Sequence, residues 1–103
     1  MDKDTIAAIA TSLGKGGIGV IRVAGPKSID VCKIITGIVP SDHKATLLKF
    51  KKSNNEILDE GITIFFKGPH SFTGDDVVEF QCHGGPVIMD MLLKEILQMN
   101  IFL

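Results

Sequence analysis

At 103 residues the chain has room for one hydrophobic core and no more. Apolar residues make up 45% of it and phenylalanine is the only aromatic type, so a core can form without a tryptophan anchor. A net charge of −1 and a pI near 6.3 leave no electrostatic footprint for nucleic acid or for an anionic membrane. No stretch approaches the ~20 consecutive apolar residues that span a bilayer. The opening "MDKDTIAAIAT" is acidic from its second residue and lacks both the apolar run of a secretory signal and the arginines of a transit peptide. Cys32 and Cys82 lie far apart and match no metal-ligand spacing, so they read as reduced thiols of a cytoplasmic protein.

In chain order, "TIAAIAT" and "GVIRVAG" read as two strands joined by the glycine-rich "SLGKGGI". "GPKSIDVCKIITGIVP" reads as a short helix: Pro26 sits near its first turn, Ile29, Cys32 and Ile35 share a face, and Gly37 closes it. "ATLLKFKK" and "ILDEGITIFFKG" are strand-like with "SNNE" as the hairpin turn between them. The basic run "LKFKKSNN" is the solvated end of that hairpin. "GPHSFTGD" is a polar loop, and "DVVEFQC" alternates as a fifth strand.

"GGPVIMDMLLKEILQMN" then predicts a helix whose apolar stripe is Ile88, Met91, Leu92, Ile96 and Met99, interrupted by Glu95. Asp90 and Lys94 form an i, i+4 pair on its wet side. Asn100 suits a left-handed cap, and "IFL" reads as the start of another strand, so the expectation is a piece of a longer protein. Two hairpins rule out a purely parallel sheet. The fold class expected is α/β (α+β), with a mixed, largely antiparallel sheet of about five strands and two or three helices over one face.

"GKGGIG" satisfies G-x-G-x-x-G through Gly14, Gly16 and Gly19, but the β-rich "VIRVA" follows where a dinucleotide fold needs a helix to hold the pyrophosphate. "AGPKS" fails the P-loop pattern. Cys82 and His83 are neighbours in a strand and point to opposite faces, which makes a thiolate–imidazole pair awkward, and no third group orients the imidazole. Cys82 falls on the face of Val78 and Phe80 and reads as core. His83 opens a strand–turn–helix corner shaped by Gly84, Gly85 and Pro86.

Arg22 and Glu79 are the sharpest features, each a charge in the middle of a β-rich strand. Arg22 shares a face with Val20 and Ala24, and Glu79 with Val77 and Gln81. Two readings stand. They are solvent-facing charges or a cross-strand ion pair, or they line a sheet face that carries an organic ligand. In the second, a carboxylate accepts two parallel N–H bonds from an amino-pyrimidine edge and a guanidinium holds a carbonyl or carboxylate.

Taken together, "DTIAAIAT", "GKGGIGVIRVAGP", "GPHSFTGDDVVEFQCHGGP" and the helix after them resemble the N-terminal domain of the MnmE (TrmE) tRNA-modification GTPases, in order from Asp4 to about Met99. The resemblance implies a mixed α/β fold similar to the tetrahydrofolate-binding domain of the glycine cleavage T-protein. It further implies binding of 5-formyl- or 5,10-methylene-tetrahydrofolate and assembly as a homodimer. By motif position, Arg22 matches the arginine of "GxGxxR" and Glu79 the glutamate of "DVVE", both folate contacts in the family. The full-length family protein adds a helical domain and a GTPase domain that uses GTP, magnesium and potassium. With the flavoprotein MnmG it modifies the wobble uridine of bacterial tRNAs.

Residues 1–103 would then form an incomplete N-terminal folate-binding domain, with no catalytic residue, no metal and no nucleic-acid contact of its own. The loop "SLGKGG" departs from the family's Pro-Pro-Gly-Arg-Gly-Gly at Ser12, Leu13 and Lys15. A dimerisation scaffold without an intact folate site is the alternative. A stand-alone folate-dependent one-carbon transferase is disfavoured, because no acid–base pair is evident.

Overall fold

The computed structural model describes residues 4–11, 17–69, 71 and 74–99. Five strands and two helices follow one another as β1 (Ile6–Thr11), β2 (Gly19–Ala24), α1 (Ser28–Thr36), β3 (Thr46–Lys51), β4 (Ile57–Phe66), β5 (Val77–Cys82) and α2 (Gly85–Leu97). The strands make one sheet in the order β1-β2-β5-β4-β3, and every neighbouring pair is antiparallel. Among the described residues the parallel contact is the isolated bridge Asp42–Phe65. The expected α+β class, strand count and hairpins therefore hold, with two helices.

Alternation sets which face meets the helices. In β2, Gly19, Ile21 and Val23 are buried while Val20, Arg22 and Ala24 are half-buried. Ile21 and Val23 join Phe50, Phe65, Val78, Phe80 and Cys82 on one side of the sheet, against Val31, Cys32 and Ile35 of α1 and Met89, Leu92 and Ile96 of α2. At the centre the rings of Phe50 and Phe80 meet edge to face, 5.3 Å apart at 81°. Both helices pack on this one face.

The α2 stripe differs from the sequence expectation. Met89, Leu92 and Ile96 are buried, whereas Met91 is 36% exposed. Met89 and Met91 are two residues apart and cannot share the narrow buried stripe of one helix. Glu95 is explained by its partner: its Oε1 accepts the backbone N–H of Ser53 at 2.9 Å, tying the end of α2 to the β3–β4 turn. At the end of α1, Gly37 adopts φ 80° and its N–H bonds Lys33 O, as expected of a left-handed cap.

Gly61 marks a close approach between strands. The β4–β5 ladder runs from Phe66–Val77 to Thr63–Phe80. Beyond it, a Cβ on Gly61 would lie 1.8 Å from the carbonyl oxygen of Gln81, so only glycine fits.

Candidate functional site

Register brings the two mid-strand charges together. Reading across the open face of the sheet, Ala8 of β1 faces Arg22 of β2, Arg22 faces Glu79 of β5, and Glu79 faces Ile64 of β4. The Arg22 guanidinium donates Nε–H to Glu79 Oε1 at 3.0 Å and Nη2–H to the same oxygen at 2.6 Å. The side chains are 33% and 14% exposed, so the pair is half-desolvated and still reachable from solvent. Oε2 of Glu79 accepts no hydrogen bond among the described residues. Val20, Ile62 and Ile64 are half-buried on this same face and flank the pair with apolar surface.

What the arrangement can do chemically follows from its donors and acceptors. An ionised carboxylate offers about four lone-pair positions, and Arg22 occupies one side of one oxygen. The rest can receive adjacent N–H donors of a flat heterocycle lying on the neighbouring aliphatic side chains. A cross-strand ion pair is equally what the geometry shows, so both sequence readings meet at this spot. Two cavities bounded by described residues lie elsewhere, and neither is lined by Arg22 or Glu79.

The corner after β5 is built as the glycines suggested, with Gly85 at φ 88° and Pro86 in the first turn of α2. Its anchor is a residue that sequence reasoning passed over. Asp59 of β4 accepts the backbone N–H of His83 at 2.7 Å and of Gly84 at 2.9 Å, both at Oδ2. The nitrogen Nδ1 of His83 meets Glu60 O at 3.1 Å. Asp59 thus fixes the backbone of the two residues that lead into α2, whose N-cap Gly84 carries no capping side chain. The signal was available in "ILDEGITIFF", where an acid interrupts a β-rich run.

Cys82 is fully buried, and burial, with a smaller push from the Asp59 charge, raises its thiol to about 12. It stays protonated at any ordinary pH, which removes it as a nucleophile. Cys32 is also raised by burial, against a smaller opposing effect of its Thr36 contact, and its Sγ donates to Ile38 O at 3.1 Å. No group of three metal-ligating side chains occurs among the described residues. Within the glycine-rich loop, Gly14, Lys15 and Gly16 lie outside the described residues, as do His70, Phe72 and Thr73 of the "GPHSFTGD" loop and the tail from Asn100.

Residues 5–102 match the model of a family described as GTP-binding protein TrmE N-terminus. The chain belongs to this family. It is 53% identical to the tRNA modification GTPase MnmE of Pasteurella multocida over 98 residues, which are 95% of this chain and 22% of that protein. It is 55% identical over 97 residues to the MnmE of Psychromonas ingrahamii, and 57% identical over 93 residues to that of a Marinomonas species. Those matches cover 94% and 90% of the chain and 21% and 20% of the relatives. The chain thus spans about a fifth of the length of the curated relatives it matches. It is the TrmE-type N-terminal region that they share, and among its described residues no helix is long and apolar enough to cross a membrane.

Proposed function

We propose that this domain binds a reduced folate, 5-formyl- or 5,10-methylene-tetrahydrofolate, at the open sheet face and forms a homodimer within a cytoplasmic tRNA-modification GTPase. The observation that carries the reading is the Arg22–Glu79 pair: two charges in register, half-desolvated, with one carboxylate oxygen accepting no hydrogen bond among the described residues. A pterin presents adjacent N–H donors on one edge and a flat apolar body. Glu79 would accept the edge, Arg22 would hold Glu79 or an oxygen of the folate, and Val20, Ile62 and Ile64 would lie under the ring. When bound, the folate supplies one carbon unit at the oxidation level it carries. The chain's own residues orient it and remove water from one of its faces.

Dimer formation is supported by the same side of the sheet. Among the described residues no helix packs on it, and it exposes Ile6 and Leu47, which are 63% and 58% accessible. An uncovered apolar sheet face of this kind is a typical contact surface. GTP, magnesium, potassium, the MnmG flavoprotein and tRNA belong in this proposal to the whole protein, with no catalytic step assigned to these residues.

Titrating the domain with 5-formyltetrahydrofolate by calorimetry tests the ligand site. Saturable heat that disappears in Glu79→Ala, with the fold intact by circular dichroism, is the expected result. An intact dimer giving no heat, both here and in the longer protein, would leave the scaffold reading in its place.

A further inference from the structure

The edge of the sheet farthest from β1 has features that the folate reading leaves unused. β3 is an outer strand, so one side of its backbone has no strand partner among the described residues. Between His43 and Asn55 the chain carries four lysines (44, 49, 51 and 52) and no carboxylate. Lys52 is paired with Glu56 at 3.6 Å, while Lys44, Lys49 and Lys51 make no ion pair among the described residues. Lys49 faces Glu60 across the β3–β4 ladder without reaching it, and Glu95 is engaged by the Ser53 N–H.

Two cavities flank this edge and meet at Lys51, which lines both. One, of 340 Å³, is bounded by Ile34, Ile35 and Met99 together with the polar Ser53, Glu95 and Gln98. The other, of 290 Å³, is bounded by Ile38, Leu47 and Leu48 together with Thr36, Lys49 and Glu60. Ile34, Ile38 and Leu47 are each more than half exposed, at 57%, 52% and 58%. The edge strand and the outer side of α1 therefore form a groove whose hollows are partly apolar, each with one glutamate in its lining, and whose rim carries lysines.

We infer that this groove accepts an extended acidic segment of another polypeptide, added to β3 as a sixth strand. An added strand satisfies the free backbone groups of the edge, and its alternate side chains serve two different surroundings. Carboxylates two residues apart meet Lys49 and Lys51, which are themselves i, i+2 on one strand face. The apolar residues between them enter the hollows beside α1. Lysines on an edge strand ordinarily deter pairing with a like strand. A second copy of β3 would crowd the lysines of both chains onto one ribbon. The same charges favour a strand of opposite sign. The hydrophobic lining argues for a peptide over a phosphate backbone, which would leave Ile34, Ile38 and Leu47 in water.

The probe is a fluorescein-labelled peptide of about eight residues with alternating Glu and Val, long enough to run beside the strand. Its anisotropy is followed on the folded domain. Saturable binding is expected, weakened about tenfold in the double variant Lys49→Glu/Lys51→Glu, as two exposed ion pairs imply. Amide shifts confined to residues 46–51 and the α1 side of the groove are expected with it. A peptide whose valines are replaced by proline, which removes alternate N–H donors, should bind weakly. Lys49 is exposed and Lys51 half-buried at the strand end, so the variant should keep its circular dichroism, and a double variant that unfolds is replaced by the single Lys49→Glu.

Three outcomes overturn the inference. One is no binding at about 1 mM peptide. Another is binding indifferent to the charge reversal or mapped to β1. The third is a preference for a single-stranded RNA oligonucleotide, or a dimer through β3 that the lysine reversal abolishes.

Discussion

The two faces of the sheet are made by the same three central strands and differ in almost everything else. On the helix side, Ile21, Val23, Val78, Phe80 and Cys82 have no accessible surface. On the other, one residue over, Arg22 and Glu79 hold each other at 2.6 Å with a third and a seventh of their side chains exposed. Burial on the first side is set by area and shape, which many apolar residues could supply. The second side has a specific pair of charges at a specific register, which packing does not call for. The contrast teaches where to look in a small α+β domain: stability sits on the face the helices cover, and recognition is open to the other.

The sharpest way to break that contrast is to strike the covered face. Phe80→Ala removes a fully buried ring at the centre of the sheet, together with its edge-to-face contact on Phe50. The cost should be about 3–5 kcal/mol, enough to threaten a domain of this size. A urea titration followed by circular dichroism checks it. A loss below about 1 kcal/mol would mean that the helices do not pack there as described.

A smaller effect probes the polar exception on the covered side. Asp59 lies opposite Phe50 in the ladder, yet its carboxylate is used for the His83 and Gly84 N–H groups. Asp59→Ala leaves both donors without that acceptor and should cost about 1–3 kcal/mol. Amide exchange at His83 and Gly84 should accelerate. Asp59→Asn keeps one oxygen and should recover part of the loss. Unchanged exchange at those two amides would show that the corner is held by its glycines alone.

The fold was largely readable because its signals are local and periodic. Alternation in "GVIRVA" and "VVEFQC" placed Arg22 and Glu79 on definite faces, and "SNNE" and Gly37 announced a turn and a cap. What sequence could not supply is pairing. Nothing in either strand says that β2 and β5 are neighbours in the register Arg22–Glu79, because that contact spans 57 positions. The α2 stripe was misplaced for a related reason. Ile88, Met89, Met91 and Leu92 are all apolar, so periodicity alone leaves the helix free to rotate, and the sheet beneath decides for Met89. Asp59 escaped notice because its partners are backbone groups, which carry no residue signature.

The open face should answer most quietly in stability. In a double-mutant cycle of Arg22→Ala and Glu79→Ala, the coupling energy should be about 0.2–1 kcal/mol. Partial exposure screens the charges, and each variant leaves its former partner able to reach water. The stability loss in Glu79→Ala would therefore be far below that in Phe80→Ala, while its loss of folate heat would be complete. A coupling above about 3 kcal/mol would reverse the argument, since that magnitude belongs to a buried structural pair. The pair would then be a fixture of the fold, and the open face would need another group to recognise a ligand.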